Sequence, residues 1–442
     1  MNFQKEVFKY SEQLGDIEHI IKFSTEEFNT LNHSMREIFY NHSYYDIANG
    51  LLGNCIFLSE MYKKTNDLKY HQYAHKILKI GINRKGIESI DNPGLWSGLS
   101  GVCFCLETLN NNGLYKEIIK SCDQILIVLI QKKIDEANEN LNNHNVMMGD
   151  YDLMEGLVGI AQYILTYKVN NSHFQLLLSR IVDYFISLTQ YQLIKDKKIP
   201  NWLIKSENQF LEEEKRIFSN GNFNQGVSHG ICGVFICLIN IYKQYKEEKV
   251  KTAIEALVDW FLQTKIKHNN YYVWEKKLMF EQLNEDIIYN EKQINLSWCY
   301  GDFMIIYALS EAADTLNNHE LKFFVDKSLE EYDRSGIEID LLSPTLCHGY
   351  AGTLLILKKL QLKKNTEVLQ RLYLSLYEKL KLSYDEQSKF GFTDIEEYLG
   401  NKWSMNKYSL LSGNSGIYLT LLFLEHGVIR TKWDALFLLD AK

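Results

Sequence analysis

The segment CHGYAGTLLIL, residues 347–357, sets a pair of glycines three positions apart at the head of an unbroken apolar run. The same signature returns along the chain as GLLGNCIFL from Gly50, GLSGVCFCL from Gly98 and EGLVGIAQYIL from Glu155. It continues as HGICGVFICL from His229, CYGDFMIIYAL from Cys299 and SGNSGIYLTLLFL from Ser412, which makes seven copies with 347–357. The fifth copy is degenerate, with Met304 in place of its second glycine. The runs behind the glycines have helical length and no strand alternation. A glycine pair ahead of a buried helix lets the backbone approach closely there. Between copies lie amphipathic stretches such as DLKYHQYAHKILKIGI from Asp67 and EEKVKTAIEALVDWFLQTKI from Glu247, whose charged faces suit outer helices.

Each repeat therefore reads as an outer amphipathic helix, a loop and an apolar inner helix. The expected fold is all-α: a double-layered α/α toroid of seven outer and seven inner helices, with all the glycine turns at one end of the inner ring. Residues 1–442 are expected to form one such domain. Only three prolines, Pro93, Pro200 and Pro344, interrupt the chain, as a mostly helical protein requires. The longest gap between copies contains KIPNWLIKSENQFLEEEKRIFSNGNFN, Lys198 to Asn224, which breaks helical periodicity and reads as an inserted irregular or small β element. Two further irregular stretches, Tyr271 to Trp298 and FGFTDIEEYLGNKWSMNKYS from Phe390, also precede glycine turns. Loops at that end are where a site would be built.

Composition narrows the function classes. The balance of 48 basic and 56 acidic residues, net charge -8, lacks the clustered basic surface of a nucleic-acid binder. The polar start MNFQKEVFKYSEQLGDIEH has no signal-peptide core, and no apolar run nears the ~20 residues of a membrane span. The expected location is cytoplasmic and reducing. The eight scattered cysteines then stand as free thiols rather than as a disulfide framework.

Three of these thiol and imidazole groups share one place in the repeat: Cys299 in SWCYGD, and Cys347 with His348 in LCHGYAG. Cys299, Cys347 and His348 make a Cys2His set, suited to one tetrahedral zinc ion with its fourth position open for catalysis. Cys55, Cys103 and Cys232 lie just past the leading positions of their turns and read as core residues. His229, in GVSHGICG, occupies the frame position of His348 and is a candidate acid or base. Asp152, in YDLMEG, stands before the third turn as a second proton-transfer candidate or as a helix cap.

With these motifs in hand, the chain resembles the lanthionine synthetase C-like family, the cyclases of lanthipeptide biosynthesis and their relatives. The resemblance runs from Gly50 to the end and rests above all on Trp-Cys-Tyr-Gly followed by Cys-His-Gly. It implies the α/α toroid, zinc held by Cys299, Cys347 and His348, and acid–base roles for His229 and Asp152. Tyr300 matches the family's tyrosine beside the first zinc cysteine. Asn295 stands where the family often has an arginine, a position from which a developing enolate could be steadied. The implied reaction is addition of peptide cysteine thiols to dehydroalanine or dehydrobutyrine, giving (methyl)lanthionine rings. The implied partner is a dehydrated precursor peptide, leader plus core, together with a dehydratase and an exporter at the membrane, with the chain itself cytoplasmic or peripheral at the membrane's inner face. Three other readings differ in their requirements. A relative that adds glutathione or another thiol to proteins would use the same zinc site. A carbohydrate-active α/α barrel would need two facing carboxylates, which do not stand out in the glycine frame. A non-catalytic peptide-binding scaffold would need none of Cys299, Cys347, His348 and His229.

Overall fold

The computed structural model describes residues 3–30, 44–83, 86–194, 197–268, 270–283, 295–336, 339–398 and 401–440. Each of the seven glycine turns leads directly into a helix: Gly53–Thr65, Leu99–Leu109, Leu157–Tyr163, Ile231–Tyr245, Asp302–Thr315, Tyr350–Lys363 and Asn414–His426. These inner helices are buried nearly all round near their starts. In Ile231–Tyr245 every residue from Ile231 to Ile239 is buried. The outer helices bury one stripe only. Glu248–Gln263 buries Val250, Ala253, Ile254, Leu257, Val258, Trp260 and Phe261, the spacing of one helix face.

The glycines are required by what lies behind them. Gly156, extended at φ -93° and ψ -169°, caps Leu157–Tyr163. A side chain on it would run into the backbone of Tyr151 and Asp152. At the second glycine position, a methyl on Gly101 would strike the carbonyl of Leu95. The degenerate fifth turn keeps its first glycine: Gly301 caps Asp302–Thr315, and Met304 lies one turn inside the helix, buried.

The chain forms two compact units. One comprises Met1–Leu126 and Ile339–Asp434. Its inner helices pack in the order Tyr350–Lys363, Asn414–His426, Gly53–Thr65, Leu99–Leu109. Their turns are laced by backbone bonds: Cys347 N–H to the Leu411 carbonyl at 3.0 Å, Leu411 N–H to Ala48 at 2.8 Å and Ile47 N–H to Trp96 at 2.9 Å. The other unit comprises Ile127–Glu338 and Ala435–Lys442. There Leu157–Tyr163, Ile231–Tyr245 and Asp302–Thr315 pack in sequence order. Leu153 N–H reaches the Ser228 carbonyl at 3.1 Å, and Val227 N–H reaches the Cys299 carbonyl at 3.0 Å. Within each unit the turns of successive repeats therefore sit side by side.

Among the described residues the strands form four short antiparallel pairs. Tyr191–Ile194 pairs Lys197–Pro200, Asn222–Asn224 pairs Lys277–Met279, and Ile266–His268 pairs Tyr271–Val273. The fourth is the hairpin of Asp394–Tyr398 and Asn401–Met405. The stretch Lys198 to Asn224 contains most of strand Lys197–Pro200, the short helix Glu212–Ile217 and all of strand Asn222–Asn224. Much of the irregular region from Tyr271 to Trp298 falls at 284–294, outside the described residues. Among the described residues no helix is long and apolar enough to cross a membrane.

Candidate active site

The loops ahead of the inner helices share a construction that fixes the candidate side chains. Seven residues before the helix start stands Asn92, Asn295, Ser343 or Lys407, whose carbonyl accepts the first helical N–H, at 2.8, 2.9, 3.0 and 3.0 Å. Where that residue is Asn or Ser, its side-chain oxygen also accepts the N–H two residues on: Asn92 to Gly94, Asn295 to Ser297, Ser343 to Thr345. Asn224 does the same for Gly226. These are Asx- and Ser-type turns, which give the chain a fixed fold-back before the glycine cap. Asn295 thus uses its side-chain oxygen within the turn that carries Cys299. Its amide N–H2 is the group that could face an enolate.

Asp152, Cys299, Tyr300, Asn295 and His229 lie in one unit. Asp152 ends the short helix Met148–Tyr151 and is 1% exposed. Its Oδ1 accepts the backbone N–H groups of Glu155 and Gly156, both at 2.8 Å. Its Oδ2 accepts from His229 Nδ1 at 2.6 Å. Burial works against a charge on His229, but the bond to Asp152 and its negative charge outweigh it, and the imidazole pKa is raised. The Asp152 carboxylate thereby orients the ring and leaves Nε2 as its outward nitrogen. Phe210, 61% exposed, stands edge-on to that ring at 5.4 Å between centroids. Cys299 is buried, with its sulfur 3.4 Å from Ser297 Oγ. Burial pushes the phenol of Tyr300 upward, and Asn224 Nδ2 donates to its oxygen at 3.3 Å.

Cys347 and His348 lie in the other unit, on the turn before Tyr350–Lys363. Cys347 is part-exposed, whereas the other seven cysteines are buried. Among these, burial raises the thiols of Cys55, Cys105, Cys232 and Cys237. Such groups stay neutral and pack as apolar residues. His348 Nε2 donates to Asp394 Oδ1 at 3.1 Å. Asp394 also accepts from Ser343 Oγ at 2.6 Å and from Lys407 Nζ at 2.7 Å. Lys407 reaches Glu396 at 3.1 Å as well. Burial opposes the charge on Asp394, yet Lys407 and His348 hold its carboxyl well below the usual range. His348, Asp394 and Glu396 place one ligand atom each within 4.8 Å of one another, a group that could bind a metal.

Cys299 in one unit, and Cys347 and His348 in the other, are each of a donor type that zinc accepts. Both cysteines lie two residues ahead of a helix N-cap, Gly301 or Gly349. The imidazole is held by a carboxylate at one nitrogen, the usual support of a ligating histidine. Asp394, Glu396, Lys407, Ser343 and Phe210 were not legible as site residues. The irregular stretch from Phe390 marked the region that supplies Asp394 and Lys407, without indicating which side chains turn inward.

A family model for lanthionine synthetase C-like proteins matches residues 43–438. The nisin biosynthesis protein NisC of Lactococcus lactis subsp. lactis is 26% identical over 401 residues, covering 89% of each chain. The structure of a nisin cyclase superimposes with a TM-score of 0.75 at 23% identity, covering 95% of this chain and 97% of the other. At that identity the likeness shows the fold, the α/α-toroid class that the glycine repeat indicates.

Proposed function

We propose, for a chain that belongs to the lanthionine synthetase C-like family, that it is a lanthipeptide cyclase closing thioether rings. Its substrate on this reading is a dehydrated, cysteine-containing peptide, and each turnover is an isomerisation. The peptide S–H adds across the Cα=Cβ bond of dehydroalanine or dehydrobutyrine. The sulfur bonds Cβ, the π pair passes to Cα and the adjoining carbonyl, and Cα then gains a proton. Cys299, Cys347 and His348 would hold one zinc ion, whose chemistry there is to make a bound thiol acidic.

The chain's own groups supply the rest. His229, held by Asp152, offers Nε2 to remove the thiol proton or to return one to Cα. Asp152 keeps the ring in one tautomer and supports its charged form, so the pair can cycle between imidazole and imidazolium. The Asn295 amide is a candidate donor to the enolate oxygen, and Tyr300 is a neutral hydroxyl beside the Cys299 turn. A dehydratase would supply the peptide.

The observation that carries the reading is the 2.6 Å bond between the buried Asp152 carboxylate and half-buried His229, on a turn bonded to that of Cys299. The test incubates the zinc-loaded protein with a dehydrated Cys-containing peptide and then alkylates free thiols. Ring closure leaves the peptide mass unchanged and removes the alkylatable thiols. Thiols that stay alkylatable would overturn cyclisation. A mass gain equal to added glutathione, when glutathione is present, would place the reaction between molecules instead.

A further inference from the structure

Buried Asp394 and Lys407 form a charge cluster with half-buried His348 and Glu396, and its members come from different parts of the repeat. His348 and Ser343 belong to the loop before Tyr350–Lys363. Asp394 and Glu396 lie on the hairpin strand Asp394–Tyr398, and Lys407 on the loop before Asn414–His426. Lys407 stands at the position that Asn92, Asn295 and Ser343 fill in other repeats. Its carbonyl does the work of that position, accepting the Asn414 N–H at 3.0 Å. Its side chain, 9% exposed, turns instead to Asp394 and Glu396 at 2.7 and 3.1 Å. The Asp394 carboxylate, wholly buried, is thus fixed by Ser343 from one turn and Lys407 from the next, and it presents Oδ1 to His348 Nε2.

We infer that Asp394, clamped between Lys407 and Ser343, is the positioning residue for His348 and that the His348–Asp394–Glu396 trio does not itself chelate the metal. Two arguments carry this. The ammonium of Lys407 already lies against both carboxylates, where a chelated cation would have to displace it. With Lys407 charged, the two carboxylates keep a net charge of one, enough to hold an imidazole N–H and far from the charge a divalent ion prefers. The carboxylate also takes Nε2, which fixes the ring and makes Nδ1 the nitrogen that would ligate a metal. The sequence-remote hairpin thereby preorganises the proposed zinc site, and the inference rests on that proposed ligand set.

The experiment titrates zinc against a chelator of known affinity in the full-length protein and in Cys347→Ala, Asp394→Asn, Ser343→Ala and Glu397→Gln. Glu397 lies on the same hairpin with a side chain 44% exposed and serves as the control. Removing outer-shell partners of ligating histidines typically costs 10–100-fold in affinity. Asp394→Asn is therefore expected to weaken zinc by about that factor, Ser343→Ala by less, Glu397→Gln not at all, and Cys347→Ala to abolish tight binding. With cobalt(II) in place of zinc, Asp394→Asn should keep the thiolate-to-metal band and alter the ligand-field bands, a change that a general loss of packing would not produce. Unchanged affinity and spectrum in Asp394→Asn, with binding lost in Cys347→Ala, would overturn the inference and leave the ligand set standing. Binding lost in Asp394→Asn and kept in Cys347→Ala would overturn both, since the trio would then be the metal site. Absence of zinc binding in the parent protein would also overturn both. Should Asp394→Asn fail to fold, Ser343→Ala decides by the same spectrum.

Discussion

His229 and His348 occupy the same place in two copies of one repeat, each just before the glycine that caps an inner helix, and each is bonded to a buried aspartate through a different ring nitrogen. Asp152 takes Nδ1 of His229 at 2.6 Å; Asp394 takes Nε2 of His348 at 3.1 Å. The aspartates are themselves held differently. Asp152 is bound by backbone amides, which bring no net charge. Asp394 is bound by the Lys407 ammonium, which compensates its charge in a buried place. An uncompensated carboxylate strengthens the basicity of its histidine, as a proton-transfer residue needs. A compensated one fixes the ring of its histidine through the Nε2 hydrogen bond. On the proposed reading, one repeat position would serve two chemistries, with the loop that supplies the aspartate setting which.

The comparison breaks at once if the two histidines are interchangeable. His348→Ala should lose tight zinc binding and ring formation together. His229→Ala should keep zinc and fold while ring formation drops by roughly 10²–10⁴-fold, the usual weight of general acid–base catalysis. Zinc content and cyclisation rate on the same preparations decide it. Loss of zinc from the His229 variant would make that residue a fourth ligand and close the metal site. Unchanged cyclisation would return it to a buried structural histidine.

A smaller effect sharpens what Asp152 does. The His229 pKa is raised because the Asp152 bond and charge outweigh burial. In Asp152→Asn that support is gone, so the His229 pKa must fall. If His229 works as the base, its neutral form is active, and the acid limb of the pH–rate profile moves to lower pH. If it works as the acid, the alkaline limb moves, again to lower pH. The shift has one sign in either role. A profile that keeps its limbs while the rate falls would mean that Asp152 acts on something other than this imidazole.

How much of this could be read from sequence follows from the same geometry. The glycine turns announce themselves because a side chain at Gly156 or Gly101 collides with backbone, so composition there is forced by sterics. Cys299, Cys347, His348 and His229 lie inside that frame, a fixed number of residues from a glycine, and a fixed offset is visible in a string of letters. Asp394 and Lys407 act across the 46 and 59 residues that separate them from His348, with a hairpin between them. No local period ties them to the turn. Asn295 was legible only as a departure from an arginine, whereas its structural place is the Asx turn seven residues before Asp302. A scan for a polar residue at that offset would have found the frame, and with it the oddity of Lys407.

A third buried aspartate carries the comparison to its smallest expected effect. Asp302, 2% exposed, opens the helix after Cys299 and accepts from the Trp274 N–H at 2.8 Å and the Tyr332 hydroxyl at 2.9 Å. Neither donor is charged. Burial therefore prevails over these bonds, and the carboxyl is pushed up to about 7 from an ordinary 3.8. Its proton is bound more tightly in the folded chain than in the unfolded one between those values. The stability it contributes is fully present below about pH 4 and is lost as pH rises through 7, the reverse of Asp394. At about 1.4 kcal/mol per unit, the ceiling is roughly 4 kcal/mol. Asp302→Asn, neutral at every pH, removes this dependence. Urea unfolding at pH 5 and pH 8 should show the parent protein losing more stability between the two conditions than the variant does. The variant should gain on the parent at pH 8. Parallel losses in the two proteins would mean that Asp302 stays ionised on folding, and that two neutral hydrogen bonds suffice where Asp394 relies on a lysine.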